Sequence, residues 1–262
     1  MTGLRAATWN VNSLRVRLPQ VLDWIRAVQP HIVGLQEIKV PDEAFPREEL
    51  EALGYHVAHA GQAGYNGVAL LSRGEPRQVR RDLPGEEDGG RRLIAATYGE
   101  GAGALRVVNV YVPNGERVGS DKYRFKLRWL EALEAWLREE LARHRRLVVL
   151  GDFNVAPADE DVHEPLLWQG RIMCSEPERE RFRRLLRLGL CDTYRLAPRE
   201  GSPFTWWDYR MRAFRRDLGL RIDHILASAP LCERCTDCRI DRGPRALPRP
   251  SDHAPVVAEF RI

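Results

Sequence analysis

Lysine is almost missing from this chain: Lys39, Lys122 and Lys126 are the only three among its 41 basic residues, and the rest are arginine. Arginine suits bidentate phosphate contacts. Codon usage in a GC-rich genome gives the same bias, and the net charge of +4 does not by itself indicate a nucleic-acid partner. No apolar run approaches the roughly 20 residues of a membrane span. The first residues lead straight into a strand pattern with no charged and then apolar leader, so no signal peptide is expected. The five cysteines are an odd number, and without a secretion signal they are expected to be reduced thiols. Cys232, Cys235 and Cys238 form a C-x-x-C-x-x-C run, but Cys174 and Cys191 are distant in sequence and no Cys-Pro follows. Three thiols beside a strand, not a metal cluster, is the reading. A G-x-G-x-x-G after the first strand, a P-loop, a G-x-S-x-G elbow, an H-E-x-x-H helix and a paired C-x-x-C zinc pattern are all lacking. Dinucleotide binding, P-loop chemistry, serine-hydrolase chemistry and zinc sites of these kinds are thereby excluded.

The 262 residues contain 44% apolar and 30% charged residues, an ordinary globular balance. No Pro/Gly/Ser linker, short-period repeat or low-complexity segment divides them, so one domain over residues 1–262 is expected. Strand patterns run over residues 4–11, 31–37, 55–59, 67–71, 93–98, 105–112 and 147–150. Residues 204–207, 222–227 and 256–262 close the sheet set. Apolar spacing of three and four predicts helices over 17–28, 46–53, 123–143 and 178–188, with Leu127, Leu130, Leu133, Leu137 and Leu141 on one side of the third. Strands outnumber helices, and the helices intervene at intervals. That pattern predicts the α/β class, as a four-layer α/β sandwich: two mixed β-sheets packed face to face with helices outside.

Short polar clusters stand at or beside the ends of these apolar runs: Gln36-Glu37, Gly151-Asp152-Phe153-Asn154, Asp223-His224 and Ser251-Asp252-His253-Ala254-Pro255. A sheet holds polar groups rigidly at its rim, where sheet-based enzymes place their chemistry. Hard oxygen ligands such as Glu37 and Asp252 favour Mg²⁺ or Mn²⁺ over zinc. A hard cation with carboxylates, amides and one histidine suits phosphate-ester hydrolysis. Taken singly, a strand-end Asp or Asn is most often a turn or cap residue. His224 is expected on the opposite face of its strand from Asp223, in a structural role.

Seven segments in order resemble the exonuclease III family of apurinic/apyrimidinic endonucleases, within the endonuclease/exonuclease/phosphatase superfamily. They are Thr8-Trp9-Asn10-Val11-Asn12-Ser13-Leu14-Arg15, Gln36-Glu37-Ile38-Lys39, Tyr111-Val112-Pro113-Asn114-Gly115, Gly151-Asp152-Phe153-Asn154, Trp206-Trp207-Asp208-Tyr209-Arg210, Leu220-Arg221-Ile222-Asp223 and Ser251-Asp252-His253-Ala254-Pro255. They span nearly the whole chain. The resemblance implies that Glu37 is the direct metal ligand, with Asn10, Asn12 and Asp252 nearby through amide, carboxylate or bridging water. It implies that Asp152 orients or deprotonates the attacking water and that Asn154 holds that water or a phosphate oxygen. Asp223 then hydrogen-bonds His253, which binds a non-bridging phosphate oxygen or acts as base. Tyr111 contacts the scissile phosphate or the leaving oxygen, with Asn114 beside it.

Superfamily members that resemble deoxyribonuclease I or the sphingomyelinases carry His where this chain has Tyr111, so Tyr111 favours the abasic-site branch. Trp206, Leu220 and Ile222 match the family's small apolar pocket for a flipped, base-free sugar. An abasic nucleotide is also cheaper to flip, having lost its pairing and stacking partner. Arg117, Lys122 and Arg210 are expected along the duplex backbone and grooves with Asn12 and Asn114. The implied activity is Mg²⁺-dependent incision of duplex DNA 5′ to abasic sites, leaving a 3′-hydroxyl, with Mn²⁺ able to substitute. 3′→5′ exonuclease and 3′-phosphatase activities accompany it. A monomer without membrane association, in the cytoplasm and with the nucleoid of a prokaryote, goes with this reading. The alternatives are a phosphodiesterase acting on lipid or inositol phosphates and a catalytically silent DNA-binding relative.

Overall fold

The first strand, β1 (Gly3–Asn10), is buried on both faces over its C-terminal half, as a central strand covered on two sides must be. The computed structural model describes residues 3–198 and 200–262. β1 lies in a six-stranded sheet between β2 (Ile32–Gln36), parallel to it, and β14 (Val256–Arg261), antiparallel. β3 (His56–Ala60) and β4 (Val68–Ser72) continue that sheet beyond β2, and β13 (Cys235–Ile240) flanks β14. The second six-stranded sheet has the order β5 (Arg77–Arg80), β6 (Leu93–Tyr98), β7 (Leu105–Tyr111), β8 (Arg146–Asp152), β12 (Asp223–Ser228) and β9 (Leu190–Asp192). Its one parallel pair is β7–β8. A parallel pair needs a crossover. Helix α1 (Leu14–Val28) supplies it between β1 and β2, and α3 (Asp121–Arg143) between β7 and β8.

Both sheets are therefore mixed, and they pack face to face as expected. Ala6, Ile32, Leu70 and Val256 of one meet Ile94, Val107, Val148 and Ile225 of the other. The outer face of the first sheet is covered by α1 through Val21, Trp24 and Ile25, and by α2 (Arg47–Glu51) through Leu50. The outer face of the second is covered by α3 through Trp129, Leu130, Leu133 and Leu137, and by α5 (Glu176–Arg187) through Phe182 and Leu185. Short helices α4 (Pro165–Trp168) and α6 (Ala229–Cys232) complete the set.

A polar cluster centred on Asn109 crosses the apolar interface between the sheets. Asn109 of β7 donates through Nδ2 to the carbonyls of Leu35 and Ala69, each at 2.9 Å, and its Oδ1 accepts from Gln36 Nε2 at 2.6 Å. Gln36 also donates to Thr8 Oγ1 at 2.8 Å. Gly34 makes room for this contact, because a Cβ there would lie 2.2 Å from Leu150 Cδ1 and 2.9 Å from the Asn109 side chain.

Two expectations are corrected. Residues 204–207 do not join either large sheet: β10 (Trp206–Trp207) pairs with β11 (Gly219–Leu220) in a separate two-stranded ribbon. The cysteines are not all reduced thiols: Cys191 and Cys232 form a disulfide across 41 residues. The reason is topological. β9 carries Cys191 and pairs with β12, and β12 runs directly into α6, which carries Cys232. Cys174, Cys235 and Cys238 remain thiols.

Candidate active site

The polar residues singled out above meet at one edge of the two-sheet stack. β1 and β2 end in register at Asn10 and Gln36, just before Glu37. In the second sheet Tyr111 is opposite Asp152, and Asp152 is opposite Asp223, so three neighbouring strands deliver three polar groups side by side. The chain leaves these strands through left-handed backbone at Asn12 (φ 43°), Glu37 (φ 50°), Lys39 (φ 54°) and Asn154 (φ 51°). Non-glycine residues adopt that region rarely, and such residues concentrate where function fixes the geometry. Gly151, within β8, lets the Val110 backbone approach closely, since a Cβ there would lie 2.0 Å from the Val110 carbonyl oxygen. Ahead of β14, Ser251 Oγ donates to the Asn10 carbonyl at 2.7 Å and the Trp9 indole donates to the His253 carbonyl at 3.2 Å, which anchors the Asp252-His253 segment.

A buried amide links the two sheets at the centre of the site. Asn10 Nδ2 lies 2.9 Å from Glu37 Oε1 and 2.9 Å from Asp152 Oδ2. Asp152 Oδ1 accepts from the Asn154 backbone N–H at 2.9 Å. Asn154 in turn donates to the Val112 carbonyl at 2.9 Å and accepts from Asn114 Nδ2 at 3.2 Å. Asp252 and His253, adjacent in sequence, face different partners. Asp252 accepts from Asn12 Nδ2 at 2.9 Å and from the Trp206 indole at 3.0 Å. His253 Nδ1 is 2.8 Å from Asp223 Oδ2, and its Nε2 is 3.8 Å from Asp152 Oδ2. Thr205 Oγ1 donates to the same Asp223 oxygen at 2.6 Å.

Burial alone would lower the His253 pKa, but the charges of Asp223 and Asp152 outweigh it and hold the imidazole well above its ordinary range. Asp152 is pushed up by burial, with the nearby imidazole pulling the other way and Asp223 adding to the rise. Asp252 is held low despite its burial, by His253 and by its Trp206 and Asn12 donors. The Tyr111 phenol is raised by burial and then by the Glu37 and Asp152 charges, so it stays protonated. The Arg92 guanidinium lies 4.9 Å from the centre of its ring.

Glu37, Asp152 and His253 each place a ligand-type atom within 4.8 Å of the others. The two carboxylates are hard oxygen donors that fit a small divalent cation, and the charged His253 imidazole stands beside them. Asp252, implied as a metal neighbour, accepts from Asn12 and Trp206, and Asp152 stands with Glu37 among the residues that could hold an ion. Lys39 Nζ lies 2.7 Å from Glu37 Oε2 and donates to Asn12 Oδ1 at 2.6 Å. The three apolar pocket residues are also brought together, but Leu220 and Ile222 are fully buried in a cluster with Val162 and Met173, against which Trp168, Ile172 and Trp206 pack. Only Trp206 of the three shows surface. Arg117, Lys122 and Arg210 are exposed. Lys122 faces Glu116 at 3.2 Å, and neither arginine has an ion-pair partner among the described residues.

Several residues around the site escaped the sequence reading. Thr205 is one. Lys126 is another: it is fully buried and donates to the carbonyls of Asn114 at 3.1 Å and Asn154 at 2.7 Å, paired with buried Glu178. Its signal was present, because Lys126 lies on the apolar stripe of α3 between Tyr123 and Leu130. His224 faces away from the site, against Phe153 and Phe182.

The model of the endonuclease/exonuclease/phosphatase family matches residues 7–253. The chain belongs to that family, in its exonuclease III branch. It is 42% identical to exodeoxyribonuclease III of Haemophilus influenzae over 98% of this chain and 100% of that protein. Among solved structures, the 3′–5′ exonuclease of Neisseria meningitidis is similar at a TM-score of 0.95 and 48% identity, over 99% of this chain and 100% of that one. An AP endonuclease from Archaeoglobus fulgidus is similar at 0.93 and 41% identity, with the same coverage. All seven sequence segments of this exonuclease III-type chain contribute residues to the edge described above or to the wall beside it.

Proposed function

We propose that this chain is a divalent-metal-dependent DNA phosphodiesterase that cleaves the bond between phosphorus and a 3′-oxygen. The observation that carries the proposal is the Asn10 amide joining Glu37 to Asp152 beside the Asp223–His253 pair. Incision 5′ to an abasic site, 3′→5′ removal of nucleotides and 3′-phosphate removal all break that same bond, so one site serves the three. Likeness to an exodeoxyribonuclease III, a 3′–5′ exonuclease and an AP endonuclease supports the range.

Glu37, with Asn10 and Asp152 beside it, would hold Mg²⁺ or Mn²⁺. The ion would supply positive charge against the phosphate oxygens. Asp223 engages Nδ1 of His253, so Nε2–H of the charged imidazole donates to a non-bridging oxygen. Asp152, its pKa raised toward working pH, takes the proton of a water positioned by Asn154. That oxygen bonds to phosphorus as the 3′-oxygen leaves. Tyr111, protonated, donates to the phosphate, and Asn114 flanks it. Arg117 and Arg210 meet the backbone phosphates.

An end-labelled duplex with a tetrahydrofuran abasic analogue, assayed with Mg²⁺ and with EDTA, tests the proposal. Nicking in Mg²⁺ that EDTA abolishes is expected; no cleavage of any DNA substrate in Mg²⁺ or Mn²⁺ refutes it. The burial of Leu220 and Ile222 favours a second emphasis, in which 3′ termini are better substrates than internal abasic sites. Comparing rates on a 3′-phosphate end and on the abasic duplex decides between them.

A further inference from the structure

Leu166 is 89% exposed and its neighbour Leu167 is 55% exposed, on the one-turn helix α4. Single exposed leucines are ordinary on protein surfaces. This adjacent pair is distinguished by where it stands and how firmly it is held. Pro165 fixes the start of the turn, and the N–H groups of Leu167, Trp168 and Gln169 bond back to Glu164 and Pro165 at 2.9–3.2 Å. Trp168 anchors the turn in the apolar cluster that also contains Trp206 and Ile172. Trp206 bonds Asp252 through its indole and bridges His253 through its backbone. On the other side, Ile172 lies so close to Gly115 that a Cβ there would be 2.9 Å from its Cδ1. The leucines thus stand on a hydrogen-bonded turn over an apolar cluster that reaches Trp206, beside His253, on one side and Gly115, after Asn114, on the other.

We propose that Leu166 and Leu167 form a wedge that parts the last base pair of a duplex 3′ end and delivers the freed nucleotide to the site. The inference rests on the 3′→5′ exonuclease reading. Leucine and proline side chains are among those that proteins insert between base steps. Cations stand on both sides of the turn: exposed Arg117 and Arg171 have no ion-pair partner among the described residues, Glu116 is paired with Lys122, and Glu164 at the start of the turn is the one exposed acid beside the leucines without such a partner among the described residues. Parting one base-pair step costs about 1.4 kcal/mol, so a wedge that offsets it is worth about tenfold on paired ends and nothing on unpaired ones.

The test compares kcat/KM for a fully paired 3′ terminus and for a terminus with two mismatched final bases, in the full-length chain and its Leu166→Ser/Leu167→Ser variant. The expected result is a fall of about tenfold on the paired end with the mismatched end unchanged within about twofold. A Leu166→Met/Leu167→Met variant, which keeps the apolar bulk, is expected to retain the parent's ratio. An equal fall on both ends, or no fall on either, overturns the wedge while leaving the nuclease reading intact. A parent that degrades neither end overturns that reading and the wedge with it.

Discussion

Replacing Lys126 by methionine removes a fully buried cation from the wall behind the site. The parent ammonium has three acceptors: the Asn114 and Asn154 carbonyls and the Glu178 carboxylate, with both charged side chains fully buried. Breaking a buried pair by deleting one partner destabilises by roughly 3–5 kcal/mol. Glu178 keeps donors from Met173 N at 3.0 Å, Ser175 N at 3.2 Å and Ser175 Oγ at 2.5 Å, which points to the low end, about 3 kcal/mol. At roughly 2–4 °C per kcal/mol for a chain of this size, Tm falls by roughly 6–12 °C. The same loss frees the two asparagines whose side chains meet at 3.2 Å beside Asp152, so kcat on a DNA substrate falls about tenfold, ~1.4 kcal/mol of barrier. Adding Glu178→Gln removes the stranded charge and recovers part of the stability without restoring kcat. Thermal unfolding and steady-state kinetics of the single and double variants check this. A Lys126→Met protein with Tm within about 2 °C of the parent and an unchanged kcat would refute the reasoning.

His224 is neutral in the fold: burial, then the Arg221 charge, lowers its pKa to about 3, with Nδ1 accepting from Arg221 at 3.1 Å and Nε2 donating to the Val155 carbonyl at 2.9 Å. The unfolded chain takes up that proton first, so stability is intact above the ordinary histidine pKa of about 6.5 and is lost as pH falls toward 3. Between pH 7 and 5.5 this one group removes about 1.2 kcal/mol, and urea unfolding should show a correspondingly shallower pH slope in His224→Gln. An unaltered slope contradicts the assignment. Asp223→Asn removes the charge that holds His253 protonated and oriented, and is expected to lower kcat on the order of 10²-fold; activity within twofold of the parent would dismiss the pair as catalytic. Alkylation of the denatured, unreduced protein should modify three cysteines, Cys174, Cys235 and Cys238, and reduction should expose two more. Mass spectrometry showing five without reduction would deny the Cys191–Cys232 bond.

The layers were legible because long buried strands and amphipathic helices carry their own periodicity. β1, β7, β8, α3 and α5 fall within a few residues of expectation. The elements that were missed lack such a signal. β5 reads Arg-Gln-Val-Arg and is largely exposed, β9 is three residues long, and β13 is a half-buried edge strand. The apolar stretch through Trp207 predicted a strand correctly, but nothing local says which sheet it joins. The start of α5 was readable and overlooked: Ser175 followed three residues later by Glu178 is a capping-box pattern, and Glu178 accepts from the Ser175 N–H. The partners within the site were less legible than its members. Asp252 and His253 look like a dyad in the sequence; the pairing of His253 with Asp223 came only through the family resemblance, because residues 30 apart are joined by tertiary structure and not by any local pattern. The disulfide joins residues 41 apart, which no spacing rule links.

Asn109, set between the sheets, bears on the site as a whole. Glu37, Asn10 and His253 travel with one sheet, and Tyr111, Asp152 and Asp223 with the other. A chain with either sheet formed alone owns no catalytic centre. When the layers close, the Asn109 amide finds its two carbonyls only in one alignment, and any slipped docking strands polar atoms in an apolar interior. The candidate site therefore belongs to neither sheet and exists only where the two are docked in that one alignment.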